Sequence, residues 1–127
     1  MGASLCQLFQ ILDLANEARE SVNTALAPFG LTQASYQVMF QLQQRDCTNK
    51  CLAEEAGCAP SNITRLVDRL VEMGLAERHP SPDDRRKVVT TLTDAGRARW
   101  NAAAEALQPT QAALLARLHQ VTDHDAP

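Results

Sequence analysis

Aromatic residues are scarce. One Trp, one Tyr and three Phe make up 4% of the 127 residues. That rules against a broad platform for stacking bases or sugars. No stretch reaches the roughly 18 consecutive apolar residues of a membrane span. The first residues carry no basic stretch ahead of an apolar one, and Gln7, Gln10 and Asp13 interrupt the apolar positions. A signal peptide is therefore not expected; the expectation is a cytoplasmic protein with no membrane partner. Histidine is rare as well: three residues, all in the second half. A Gly-rich phosphate loop and a His-Glu-x-x-His pair are both missing, and the histidines lie late in the chain, far in sequence from any Ser or Cys expected to act as a nucleophile. The residues thus point to no enzyme and no cofactor. Net positive charge is also lacking, because 12 basic residues face 15 acidic ones, for a balance of −3.

What is present is ordinary globular composition, 45% hydrophobic and 21% charged, at a length that suits a single domain over 1–127. The charge is unevenly placed. Residues 1–60 hold three basic and six acidic groups, and residues 100–127 hold one and three. The stretch 61–99 holds eight basic and six acidic groups: Arg65, Arg69, Arg78, Arg85, Arg86, Lys87, Arg97 and Arg99 supply its cations. A local basic stretch in an acidic protein suits a DNA reader that places charge only at its contact face, although a mixed solvated surface looks the same by charge alone.

Apolar residues Leu5, Leu8, Phe9, Leu12, Ala15, Val22 and Leu26 recur at mostly three- and four-residue steps, which predicts an amphipathic helix over about 4–27, ended by Pro28 and Gly30. Thr32 caps a second helix carrying Tyr36, Val38, Met39, Phe40 and Leu42. Thr48 or Asn49 starts a short third helix, over 50–56, which Gly57 stops. Pro60 suits the first position of a fourth helix with Ile63, Leu66, Val67, Leu70 and Val71 on its buried stripe. Its other face carries Ser61, Asn62, Thr64, Arg65, Asp68 and Arg69. Two short strands follow, at 75–79 and 88–92, joined by the turn-rich Pro80-Ser81-Pro82-Asp83-Asp84-Arg85-Arg86-Lys87. Thr93 caps a fifth helix to about Leu107, and Pro109 breaks or restarts the chain into a last helix reaching about Val121. The tail beyond Thr122 is expected to fray.

Two short helices with a tight Gly-containing turn, followed directly by a hairpin with a cationic tip, make a winged helix-turn-helix. The fold class is mainly α with a small β-hairpin wing. A helix presenting Ser, Asn, Thr and Arg at its N-terminal half suits the major groove of double-stranded DNA, where Arg pairs with guanine edges and Asn with adenine. A narrow cationic hairpin tip suits the adjacent minor groove.

The order of Leu31-Thr32-Gln33-Ala34-Ser35-Tyr36, Leu52-Ala53-Glu54, Ile63-Thr64-Arg65-Leu66-Val67-Asp68-Arg69-Leu70, Gly74-Leu75, Asp83-Asp84-Arg85-Arg86 and Leu92-Thr93-Asp94-Ala95-Gly96 resembles the MarR family of bacterial transcription regulators. The resemblance implies a homodimer with winged-helix lobes (about 31–93) and terminal dimerisation helices (about 4–28 and 94–121). It implies a regulator of palindromic operators, usually a repressor, released by a small molecule or an oxidant. By position, Ser61, Asn62, Thr64, Arg65 and Arg69 would face DNA. Arg86 would be the wing arginine of the minor groove, Asp84 the acid that holds it, and Arg85 and Lys87 phosphate contacts. Leu5, Leu8, Leu12, Leu107, Leu115 and Leu118 would line the dimer interface, with Trp100, Ala103, Ala104 and Ala112 at the same helical spacing. A winged-helix module that binds protein rather than DNA is the alternative.

Cys6, Cys47, Cys51 and Cys58 leave their role open. Three of them, around the third helix, could bind a soft metal ion or form a redox pair. The spacing matches no standard zinc ribbon, and small reduced packing residues fit equally well. Cys6 falls in the first helix, where peroxide-sensing members of the family carry a reactive cysteine, but out of register with it. Gln33 stands where those members have a tyrosine. His119, Asp123, His124 and Asp125 near the end read as a solvated tail rather than a metal site.

Overall fold

The computed structural model describes residues 2–57 and 59–122. Among the described residues, five α-helices and three strands follow one another: α1 (Gly2–Leu26), a 3-10 turn (Ala27–Phe29), α2 (Gln33–Gln44), β1 (Cys47–Thr48), α3 (Asn49–Ala56), α4 (Pro60–Glu72), β2 (Ala76–Pro80), β3 (Val88–Leu92) and α5 (Asp94–Thr122). None of the described helices is long and apolar enough to cross a membrane.

Threonine hydroxyls open three of the helices, α2, α3 and α5. At α2, the Ser35 backbone N–H donates to Thr32 Oγ1 at 3.2 Å and the Thr32 N–H donates to Ser35 Oγ at 2.8 Å, a reciprocal cap. Thr48 accepts from the Cys51 N–H at 3.1 Å to open α3, and Thr93 accepts from the Gly96 N–H at 3.0 Å to open α5. Gly57 ends α3 at φ 66°, a left-handed conformation that a residue with a Cβ adopts only at a cost.

The chain divides into two compact units. Thr32–Ala102 forms one. Its core is Val38, Met39 and Leu42 from α2, Leu52 and Ala53 from α3, Ile63, Val67 and Leu70 from α4, and Leu75, Ala76 and Leu92 around the strands. The Trp100 ring stacks on Tyr36 with centroids 5.0 Å apart, and its Nε1 donates to the Tyr36 carbonyl at 3.2 Å. This is why the start of α5 belongs to the winged-helix unit, and Trp100 packs inside that unit. The second unit combines Met1–Leu31 with Ala103–Pro127. Within it, Arg117 pairs with Glu17, and Gln7 Nε2 donates to the Val121 carbonyl at 3.1 Å.

The strands form an antiparallel sheet in the order β1-β3-β2. The sequence reading had only the hairpin. β1 is two residues long and carries no strand pattern of its own; Cys47 opposite Thr90 and Thr48 opposite Val89 are held by β3. The span of β2 is shifted by one residue from the expected 75–79, ending on Pro80, which lies opposite Val88. A proline is tolerated there because β2 is an edge strand.

The expected break at Pro109 does not occur: α5 runs unbroken from Asp94 to Thr122 with Pro109 inside it. Proline removes one N–H donor, the one that would reach Glu105, and crowds that carbonyl. The flanking alanines and leucines, such as Ala102–Ala104 and Ala112–Leu115, are strong helix formers and carry the helix across the defect.

Candidate nucleic-acid interface

α4 sorts its residues as its 3.6-residue period requires. Ile63, Val67 and Leu70 are fully buried, while Ser61, Asn62, Thr64, Arg65, Asp68 and Arg69 are exposed along the opposite side. Pro60 supplies the first turn without an orphan N–H, and no side chain caps this end. Thr64 is held on two sides. Its hydroxyl donates to the Pro60 carbonyl at 3.1 Å and accepts from Asn49 Nδ2 of α3 at 3.3 Å. Arg65 and Asp68 stand three positions apart on α4, a spacing that allows an ion pair along the helix. Instead, Asp68 pairs with Arg78 of β2. That pair ties the exposed face of α4 to the wing, and sequence reading missed it because the two residues are ten positions apart on different elements.

The wing tip is closed by the Ser81 N–H donating to the Lys87 carbonyl at 2.8 Å and the Lys87 N–H donating to the Asp84 carbonyl at 2.9 Å. Asp84 accepts three bonds from Arg86: from the backbone N–H at 3.0 Å, from Nε at 3.2 Å and from Nη2 at 3.4 Å. These bonds, with the nearby charge of Lys87, hold the Asp84 carboxyl below the usual aspartate range. The Arg86 side chain is nevertheless 91% exposed, so its guanidinium is aimed yet available. Arg85 and Lys87 are exposed beside it.

The wing is braced from behind at Gly96. A Cβ built on Gly96 would overlap the Leu75 carbonyl oxygen and stand 3.0 Å from its carbonyl carbon. Thr93 uses the same close approach: its N–H donates to the Leu75 carbonyl at 3.1 Å and its hydroxyl to the Gly74 carbonyl at 2.7 Å. The end of β3 and the start of α5 are thereby locked to the turn that follows α4.

Residues 31–88, which run from α2 to the wing tip and the first residue of β3, match the model of the MarR family. The multiple antibiotic resistance protein MarR of Escherichia coli is 31% identical over 97 residues, 72% of this chain and 65% of that protein. The chain belongs to the MarR family. An uncharacterized HTH-type transcriptional regulator of Bacillus subtilis, YhbI, is 35% identical over 79 residues, 61% of this chain and 51% of that protein. This MarR-family chain thus spans between about half and two thirds of the length of these curated relatives. A mutant of E. coli MarR solved in complex with operator DNA superposes with a TM-score of 0.77 at 25% identity, covering 92% of this chain and 91% of that one.

Of the three thiols around the third helix in this MarR-family chain, Cys47 and Cys51 fall among the described residues. Cys47 lies on β1, just ahead of α3, and is 2% exposed; Cys51 is half-buried in the first turn of α3. Cys6 is exposed on α1, and Cys58 lies outside the described residues, as do Asp123, His124 and Asp125. The group that joins the two cysteines is a carboxylate. Glu55, one turn after Cys51, brings its oxygen to the two sulfurs, and all three atoms lie within 4.8 Å of one another. The spacing Cys51-x3-Glu55 on one helix face was the available signal. Arg45 pairs with Glu55 and donates to Cys51 Sγ at 3.5 Å, while Cys47 Sγ donates to the Arg45 carbonyl at 3.6 Å. Burial raises the Cys47 thiol above the usual cysteine value, partly offset by Arg45.

On α1 and the far part of α5, Leu5, Leu8, Phe9, Ile11, Leu12, Leu115 and Leu118 are exposed, whereas Leu107 is buried within the chain.

Proposed function

We propose that this chain is a double-stranded-DNA-binding transcriptional regulator that works as a homodimer. The observation that carries the reading is the pairing of two exposed elements. One is the polar face of α4 with Ser61, Asn62, Thr64, Arg65 and Arg69. The other is a wing whose Arg86 is oriented by Asp84 but left open to solvent. In this reading Arg65 and Asn62 read base edges in the major groove, Arg86 enters the minor groove, and Arg85 and Lys87 contact phosphate. The operator complex of the E. coli relative supports the same use of this fold.

The dimer follows from apolar surface. Leu5, Leu8, Phe9 and Leu12 are each about half exposed on α1, as is Leu115 on α5, and a helix face of this kind is stabilised by covering it. Two winged helices reading one palindrome need their recognition helices roughly 34 Å apart, a separation that a dimer supplies. Repression relieved by a small molecule or an oxidant is the mode of action we infer. An apolar cleft of about 250 Å³ lined by Ile11, Leu14, Ala15, Ala18, Leu114, Leu115 and Leu118 is consistent with an apolar effector.

The test is selection of duplexes from a random pool by the purified protein, followed by mobility shifts over a salt series. The expected result is a palindromic site bound by two chains. Recovery of no sequence above background at low salt overturns the reading.

A further inference from the structure

We propose that Cys47, Cys51 and Glu55 form a binding site for a thiophilic divalent cation of the zinc or cadmium type. The three ligand atoms come from two elements that already pair: Cys47 from β1, Cys51 and Glu55 from one face of α3. Their positions do not rest on loop conformation. β1 is fixed by β3 through Cys47 opposite Thr90, and Thr48 Oγ1 accepts the Cys51 N–H at 3.1 Å. Two sulfurs and one carboxylate oxygen are the donor set that a borderline-soft, four-coordinate cation takes, with the fourth position left to water.

The geometry is close to what such an ion needs. Zn–S bonds of about 2.3 Å place two tetrahedral sulfurs roughly 3.8 Å apart. The three atoms within 4.8 Å of one another need to draw in by about 1 Å or less to meet that spacing. Cys47 is buried and cannot follow a rearrangement of the surface; Cys51 and Glu55 are the adaptable pair.

Arg45 occupies the site electrostatically when no ion is bound. Its guanidinium pairs with Glu55 and touches Cys51, and it gains basicity from the Cys47 and Cys51 hydrogen bonds and the Glu55 charge. An arriving dication replaces it. Two thiol protons leave to solvent, two metal–sulfur bonds and one metal–oxygen bond form, and the guanidinium swings out to water; nothing is oxidised or reduced. The summed charge of the two thiols, Glu55 and the ion is the same as that of the two thiols and Glu55 before binding, since two protons leave as two positive charges arrive, and the departure of the Arg45 guanidinium lowers the local charge by one. The site is therefore pH-dependent, binding more weakly as acid competes for the thiolates. The site adjoins α4, because Asn49, between the two cysteines in sequence, donates to Thr64.

The experiment is a Co²⁺ and Cd²⁺ titration of the reduced full chain without oxygen, read by the thiolate-to-metal charge-transfer band, with Zn²⁺ as competitor and proton release measured in weak buffer. The expected result is one ion per chain, two protons released per ion, and displacement by Zn²⁺. Cys51→Ser and Glu55→Gln, both away from the core, should each weaken binding about tenfold or more while melting as wild type does. Arg45→Gln should tighten it about fivefold by removing a competing positive charge. Cys6→Ser should change nothing. The proposal is overturned if Cys51→Ser binds like wild type, if the bound ion shows no charge-transfer band, or if Cys6→Ser abolishes binding.

Discussion

Gly96→Ala isolates a contact that helix propensity alone would misjudge. Gly96 sits in the first turn of α5, where alanine is the better helix former by at most about 1 kcal/mol. On propensity the substitution should stabilise. The tertiary structure reverses the sign. The new Cβ would overlap the Leu75 carbonyl oxygen and stand 3.0 Å from its carbon and 3.3 Å from its Cα, all backbone atoms that cannot rotate away. Relief requires α5 to move off the Gly74–Leu75 turn. Overpacking of this kind costs about 1–3 kcal/mol. The movement also strains the Thr93 N–H bond to Leu75 and the Thr93 hydroxyl bond to Gly74, each contributing about 1 kcal/mol. With the propensity gain set against these losses, the net destabilisation is about 3 kcal/mol, or roughly 10 °C in melting temperature for a domain of this size. Urea and thermal unfolding at one fixed protein concentration measure it, the concentration being fixed because association would shift the midpoint. An alanine variant that melts at or above wild type would show that the close approach of α5 to Leu75 is not a constraint on the fold.

Other consequences follow for binding, titration and assembly. Arg65→Ala should weaken binding to the selected site by about 1–3 kcal/mol and relax sequence preference at one position, read by competition with single-base variants. Lys87→Ala should instead lower affinity for all duplexes alike and flatten the salt slope by about one unit. The Asp84 carboxyl, followed by NMR, should titrate below a free aspartate and return toward the ordinary value in Arg86→Ala. Because its folded value is depressed, its contribution to stability is present at neutral pH and disappears as pH falls through that folded value. Leu12→Glu, which puts a charge on an exposed apolar position of α1, should shift the protein from dimer to monomer in sedimentation with little change in helix content; an unchanged dimer would place the interface elsewhere.

Much of this molecule could be read from its sequence because the governing interactions are local. Thr32, Thr48 and Thr93 cap helices with bonds spanning three residues, and Gly57 stops one by its own backbone freedom. The buried stripe of Ile63, Val67 and Leu70, with Ser61, Asn62, Thr64 and Arg65 opposite, is a matter of helical period. The bond between Asp84 and Arg86 spans two residues, so the wing tip too was within reach. Pro109 shows the limit of local rules, since one missing N–H does not end a helix whose neighbours favour it strongly. What tertiary structure alone decided are the contacts between residues far apart in the chain. β1 exists only because β3 pairs with it, Asp68 is claimed by Arg78 rather than Arg65, and Gly96 is needed only because Leu75 lies against it. The cysteine cluster is mixed: Glu55 follows Cys51 by one helical turn, a spacing the sequence carries, whereas Cys47 is placed by the pairing of β1 with β3. Pairings of this sort leave no period in a sequence, because their partners are chosen by the fold and not by the spacing along the chain.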